Sequence, residues 1–138
     1  MPLVEMTIDS VKRYEEKPEY RVIILKEITG NRCIPIWTRE LETEAILTRL
    51  KGEKYPRPHS YDFIIAVIDE FEGKVDSINI TELRGDCWHA RTLIKKKNNE
   101  YFGIDCRPSV AIAVAIRAHA PIFAEEEAIK AACLNLDI

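Results

Sequence analysis

This sequence has few cysteines, no long apolar run and no excess of basic residues. These features are unlike those of small disulfide-bonded, membrane or strongly basic proteins. It has four cysteines in 138 residues and no Cys-x-x-Cys pair, which argues against a disulfide framework and against a zinc site. Its apolar runs are too short to span a bilayer and no signal peptide is evident, so we expect no membrane association and a cytoplasmic location. Lys plus Arg number 20 against 23 for Asp plus Glu, so any nucleic acid would have to bind a local patch.

The composition is that of an ordinary globular protein. Hydrophobic residues make up 46% and charged residues 31% of the chain, and a chain of this length can bury a core as one domain over residues 1–138. Short runs rich in β-branched residues are followed by segments with helical spacing of apolar residues. This pattern predicts an α+β fold with mixed or antiparallel sheets and about three to four helices.

The order strand-strand-strand-helix occurs twice along the predicted elements. At a fixed offset of 68 residues the same amino acid recurs at several equivalent places in strand, turn and helix. The matching pairs are Leu25 with Leu93, Asn31 with Asn99, Ile36 with Ile104, Arg39 with Arg107, Ala45 with Ala113 and Arg49 with Arg117. We therefore predict an internal duplication, with repeats at about 3–52 and 74–120 inside a single domain.

An arginine stands at the predicted start of one helix in each half. Pro108 follows Arg107, and a proline at the first helical position leaves neighbouring backbone donors facing a corner that can bind an anion. Alternatively, such an arginine lays its stem over apolar surface and keeps its guanidinium in water. Both interpretations apply to Arg39 and to Arg107.

Four segments, read in order, are similar to a known family. They are IPIWTRELETEAI, YPRPHSYD, ITELRGDCWHARTLI and IDCRPSVAIAVAIRAHAPIFA. Together they resemble the bifunctional nuclease domain family over about residues 4–128, which implies a small α+β protein with DNase and RNase activity. The family typically has Thr-His-Asp where this chain has Ser-Tyr-Asp at 60–62, and Arg-Pro-Ser-Asp where it has Arg-Pro-Ser-Val at 107–110.

The resemblance implies metal-assisted hydrolysis of nucleic-acid phosphodiester bonds. Mg²⁺ or Mn²⁺ bound by carboxylates is the usual cofactor for that chemistry. Glu42 and Glu44 are two apart on a predicted helix and can rarely both face one metal. Glu42 is favoured because the 68-residue offset relates it to Val110, near the same kind of helix start. The predicted metal ligands are Glu42, Asp62 and His59. Alternatively, Glu42 is a solvated acid in the first turn of a helix, and the residues around Asp62 belong to a helix cap at Ser60. These interpretations need no metal.

Catalytic roles are predicted for Asp62, Asp105, Arg107 and Ser109. Asp105 lies two residues before Arg107 on the same side of a strand, so the pair forms either an ion pair or part of an active site. Ser109 can donate to a phosphate, but no Gly-x-Ser-x-Gly turn surrounds it. The alternative function is a non-catalytic anion-binding, nucleotide-binding or self-associating module, which the differences at Tyr61 and Val110 favour.

DNA or RNA is the expected partner, together with a second copy of the chain. The predicted substrate-binding residues are Arg39, Arg57 and Lys96. Aromatic residues that could stack on bases are Trp37, Tyr55 and Trp88. Some predicted strands have unpaired edges, and several apolar residues have no evident position in the core of a single chain. Both features predict a homodimer or larger homo-oligomer.

Overall fold

Two antiparallel three-stranded meanders account for most of the sheet in the computed structural model, which describes residues 2–53, 56–85 and 87–135. The first meander contains β1 (Leu3–Arg13), β2 (Tyr20–Glu27) and β3 (Cys33–Arg39). The second contains β4 (Lys74–Arg84), β5 (Cys87–Lys95) and β6 (Tyr101–Cys106). Within each meander, consecutive strands pair antiparallel, as their alternating apolar pattern and short turns favour.

A seventh strand, β7 (Ile122–Glu125), joins the two meanders into one mixed sheet. The strand order is β3-β2-β1-β7-β4-β5-β6, with β7 antiparallel to β1 and parallel to β4. The helices are α1 (Glu40–Leu50), α2 (Ser60–Glu70), α3 (Pro108–Ala118) and α4 (Glu126–Asn135). The predicted α+β class is therefore confirmed, while the single domain and the duplication stay predictions. None of the helices in the described ranges is long and apolar enough to cross a membrane.

Helix α3 lies in the centre of the molecule because nearly all of it is apolar. Residues 111–115 are all buried, and all of them except Val114 pack in one core cluster with isoleucines of β2, β3 and β4. Burial of each such isoleucine contributes about 1.5–3 kcal/mol relative to exposure. The helix ends at His119, whose left-handed backbone (φ 55°) closes the last turn.

The two arginines at the helix starts occupy the same local position. Arg39 is the N-cap residue of α1 and Arg107 that of α3, and both keep an extended backbone. An N-cap residue still belongs to the preceding strand, so its side chain can remain in solvent while the helix behind it is buried. Pro108 is the first residue of α3, where its missing N–H costs no helical hydrogen bond.

Candidate active site

The starts of α1 and α3 meet around the carboxylate of Glu42. Its Oε2 atom accepts hydrogen bonds from the Ser109 hydroxyl, at 2.9 Å, and from the Thr38 hydroxyl. Its Oε1 atom lies 3.2 Å from Nη1 of Arg107. Three of the residues predicted from the sequence, Glu42, Arg107 and Ser109, are therefore brought together.

The two charged members of this cluster differ in their access to solvent. The Glu42 side chain is 20% exposed, whereas that of Arg107 is 69% exposed. Burial opposes ionisation of Glu42, but the hydrogen bonds from Thr38 and Ser109 and the Arg107 charge outweigh it and hold the pKa of this carboxyl below its usual value. Glu42 is thus a carboxylate at neutral pH beside an arginine that can reach a ligand.

A second cluster is formed by Asp62 and Arg117. Nε of Arg117 lies 2.8 Å from Oδ1 of Asp62, and the arginine side chain is only 4% exposed. The same guanidinium reaches the carbonyl oxygens of Ala45 and Ala113, at 3.4 and 3.3 Å. Arg117 therefore links α1, α2 and α3 from inside the molecule.

Asp62 also closes a cap at the start of α2. Its Oδ2 atom accepts the backbone N–H of His59 at 2.8 Å, and Nδ1 of His59 accepts the N–H of Tyr61. His59, not Ser60, is thus the N-cap residue, because its extended backbone and ring nitrogen form a capping box with the acid three positions later. Burial opposes ionisation of Asp62, yet this bond and Arg117 hold its pKa below the usual value.

Tyr61 lies between the two clusters. The Arg117 guanidinium is 5.3 Å from its ring centroid, a cation–π distance. Burial and the negative charge of Glu42 raise the pKa of the Tyr61 phenol, against the opposing effect of Arg117 and Arg107. The hydroxyl therefore keeps its proton at neutral pH and can donate a hydrogen bond.

A pocket of about 460 Å³ opens beside Arg107 and Ser109. Residues from β3 in one meander and β5 in the other line it, so the sheet curls around the start of α3. The other lining residues are Ile36, Trp37, Cys87, Trp88, His89, Asp105, Cys106 and Pro108. Two indole rings, one imidazole and one guanidinium thus face a space large enough for a small ligand.

The remaining predicted residues lie in several different places. Asp105 is exposed on β6 opposite Arg91, at the edge of this pocket. Arg39 stacks on the Tyr20 ring at 5.4 Å, and Arg57 is exposed in the loop before α2. Lys96 lies in the β5–β6 hairpin, at the far end of β6 from Arg107. Tyr55 falls outside the described residues, and the roles of all these residues stay predictions.

The three predicted metal ligands are divided between the two clusters. His59 and Asp62 belong to the α2 cap, while Glu42 lies with Ser109 and Arg107. No group of three His, Cys, Asp or Glu side chains that could hold a metal ion occurs in the described part of the chain. A resident divalent ion normally takes several oxygen ligands, so this donor set does not fit one.

Sequence reasoning did not assign Thr38 or Arg117 to the site, and it identified Tyr61 only as a difference from the family pattern. Thr38 is the second-last residue of β3, and its hydrogen bond with Glu42 depends on the turn into α1. Arg117 could have been identified from the sequence, because it is the one charged residue in the apolar run 110–118. A charge in a buried helix requires an anionic partner, which the structure identifies as Asp62.

The lowered pKa values predict an acid-sensitive fold. Glu42 and Asp62 each have a lower pKa in the folded state than their ordinary values of 4.5 and 3.8. The stability that these two carboxylates contribute is therefore present above the ordinary values. It is lost as the pH falls through the lowered pKa values of the folded state. We expect the urea midpoint to fall steeply below about pH 4.5. Glu42→Gln should show a shallower fall, measured from pH 7 to 3, whereas exposed Glu44→Gln should follow the wild type. Equal slopes for all three proteins would contradict the role of Glu42.

Comparison with known proteins supplies the wider context. The family model described as bifunctional nuclease domain matches residues 23–137. An uncharacterized protein of Mycobacterium tuberculosis is 32% identical over 114 residues, covering 83% of this chain and 67% of that protein. Bifunctional nuclease 1 of Oryza sativa subsp. indica is 26% identical over 110 residues, and bifunctional nuclease 1 of Arabidopsis thaliana is 23% identical over 107. These matches cover 78% and 76% of this chain but only 33% of each plant protein.

Proposed function

This chain belongs to the bifunctional nuclease domain family, and on that premise we propose that it hydrolyses phosphodiester bonds in DNA or RNA. The observation that carries the proposal is Arg107, which lines a pocket together with two tryptophans and is paired with the carboxylate of Glu42. An exposed guanidinium suits a phosphate, and indole rings suit bases. The plant relatives named bifunctional nucleases support the same substrate class.

The proposed roles follow from charge and position. Arg107 binds the scissile phosphate and stabilises the charge that develops on it. Ser109 and Thr38 hold the Glu42 carboxylate, which orients a water molecule for attack on phosphorus. The water oxygen bonds to phosphorus as the bond from phosphorus to the leaving oxygen breaks, the attacking water releases one proton to solvent, and the leaving oxygen takes a proton from solvent. Because the pKa of Glu42 is lowered, its proposed contribution is chiefly the orientation of that water.

The need for Mg²⁺ or Mn²⁺ stays a prediction of phosphodiester chemistry. Such an ion supplies charge neutralisation and lowers the pKa of water. Glu42 alone is an incomplete set of protein ligands, and its oxygens already accept two hydrogen bonds and face Arg107. No step of the proposed reaction passes through a metal, and the hydrolysis assay includes both ions and a chelator.

The test is hydrolysis of labelled single-stranded DNA and RNA by the purified protein with Mg²⁺, with Mn²⁺ and with chelator. Arg107→Ala should lower the rate by about 100-fold, because one preorganised charge donor is lost from the transition state. Lys130→Ala, at an exposed side chain of α4, is the control and should cleave at the wild-type rate. Equal rates for wild type and Arg107→Ala would indicate a contaminating nuclease and defeat the assignment.

A second candidate function is binding without turnover. Val110, where the family typically has a carboxylate, lines an apolar groove with Phe63 and Ile64, and Tyr61 stands where the family typically has a histidine. This chain would then bind nucleotides or a single strand in the tryptophan pocket. Quenching of tryptophan fluorescence by an oligonucleotide that stays intact under all metal conditions would favour this alternative over hydrolysis.

A further inference from the structure

Helix α2 is strongly apolar, yet not one of its 11 residues is buried. Phe63 is 66% exposed, and Phe71, which follows the helix, is 83% exposed. By contrast, the similarly apolar α3 is almost wholly buried. Large aromatic side chains left in water on one face are unusual in a monomer and mark a contact surface.

The exposed face of α2 continues into the edge of the sheet. Between α2 and strands β5 and β6 runs an open apolar groove, formed by two adjoining pockets of about 790 and 340 Å³. We call it the α2 groove; its lining includes Phe63, Val67, Phe71, Ile94, Phe102 and Ile104. Strand β6 pairs with β5 on one side only in the described sheet, so its outer edge offers backbone donors and acceptors.

We propose that a second copy of this chain covers the α2 groove, with the two β6 strands paired antiparallel about a twofold axis. Strand β6 follows an acid, Glu100, and precedes a base, Arg107. In a centred antiparallel pair these opposite charges face each other at both ends, so the strand is complementary to itself. An isologous interface requires that property.

The exposed area is sufficient for a stable dimer. Phe63, Val67, Phe71, Phe102 and Ile104 together expose about 500 Å² of apolar side chain, given the size of such residues. A stable interface buries about 800 Å² on each partner. The paired strand edges and the charged rim, which includes Glu72 and Lys97, supply the remainder. Contact with the second copy would also bury the apolar side chains of α2 that are exposed in the single chain.

The proposed pairing changes the composition of the site. The six residues of β6 span about 20 Å, so Lys96 lies far from Arg107 in its own chain. In the antiparallel dimer, the β5–β6 hairpin of one copy comes beside Arg107 of the other, about 10 Å away across two strands. The partner's Lys96 lines the α2 groove, with its ammonium 5.4 Å from the Phe102 ring centroid. From this end of the paired strands its flexible side chain can extend to the same phosphate backbone as Arg107, a step that rests on the proposed function.

The proposed interface is tested by measuring the molar mass of the protein in solution, which does not depend on its activity. Light scattering at micromolar concentration should give a dimer for the wild type and a monomer for Phe63→Glu and Ile104→Lys, whose side chains are exposed in the single chain. Leu41→Glu alters another exposed apolar residue, outside the α2 groove, and should remain a dimer. A monomeric wild type, or dimeric groove variants, would overturn the proposal.

The shared site is tested by a heterodimer of two impaired copies. We expect Arg107→Ala to lose about 100-fold and Lys96→Glu about tenfold in hydrolysis. Co-expressed with different tags and purified by both, their heterodimer has one site in which Arg107 and the partner's Lys96 are both intact. It should recover about half of the wild-type rate.

The outcomes separate the two proposals. A heterodimer no more active than the mean of its parents would show that Lys96 acts in its own chain, which overturns the shared site while the nuclease assignment stands. If wild type neither cleaves nor binds an oligonucleotide, the proposed function fails, and the mass measurements still decide the interface.

Discussion

Replacement of Glu42 by Gln is expected to lower the hydrolysis rate by about 100-fold or more, because it removes the negative charge that orients water beside the phosphate. Glutamine keeps an oxygen that can accept from Thr38 and Ser109, so the local fold should persist. Oligonucleotide affinity should be unchanged or higher, since Arg107 is released from its carboxylate partner.

The measurements are single-turnover rates and binding by fluorescence anisotropy, with Glu44→Gln as the matched control on the exposed side of the same helix. A loss of rate without a loss of affinity is the signature of a group that acts on the transition state. If Glu42→Gln cleaves at the wild-type rate, Glu42 only holds Thr38, Ser109 and Arg107 in place.

The second large effect is expected at Asp62, where substitution by Ala should lower the free energy of unfolding by about 3 kcal/mol. Arg117 is almost fully buried and would lose its anionic partner, and the α2 cap would lose its acceptor. Arg117→Met should cost less, about 2 kcal/mol, because the carboxylate of Asp62 is partly exposed and keeps the bond from His59.

The double variant separates pairing from other losses. Asp62→Ala combined with Arg117→Met should cost at least 1 kcal/mol less than the two single effects added together, roughly the coupling seen for contacting charges. Urea unfolding gives all three values. Arg13→Met, at an exposed arginine near the end of β1, is the control and should change stability by less than about 0.5 kcal/mol. Additive single effects would contradict the ion pair.

Activity then distinguishes the two possible roles of Asp62. If it acts only through the fold, Asp62→Ala should cleave nucleic acid normally at temperatures well below its melting point. If it is catalytic, as the sequence predicts, the rate should fall even where the variant is fully folded. Circular dichroism at the assay temperature decides which case applies.

Much of the fold was predictable because its elements have local causes. The β-branched runs, the proline at the start of α3 and the spacing of apolar residues in α1 each specify a segment without reference to distant parts of the chain. Whether α2 is buried could not be predicted from the sequence. Its apolar residues predict a helix, but the exposure of that helix depends on which elements the sheet places against it.

The same distinction holds for the site. Glu42, Arg107 and Ser109 could be identified because two similar helix starts and the family resemblance point to them. Arg117 and Tyr61 could not be assigned, since their partners come from other helices, more than 50 positions away for Asp62 and Arg117. Such contacts depend on strand order, which local patterns do not determine.

The position of β7 has a consequence for how the chain acquires its structure during synthesis. The strand that joins the two meanders comes from residues 122–125, near the end of the described chain. On the ribosome, the meander of β1, β2 and β3 therefore waits with the β1 edge open until residues 122–125 have emerged. Such late closure leaves an aggregation-prone edge exposed, and it makes β7 decisive for folding yield although this strand lies outside the proposed active site.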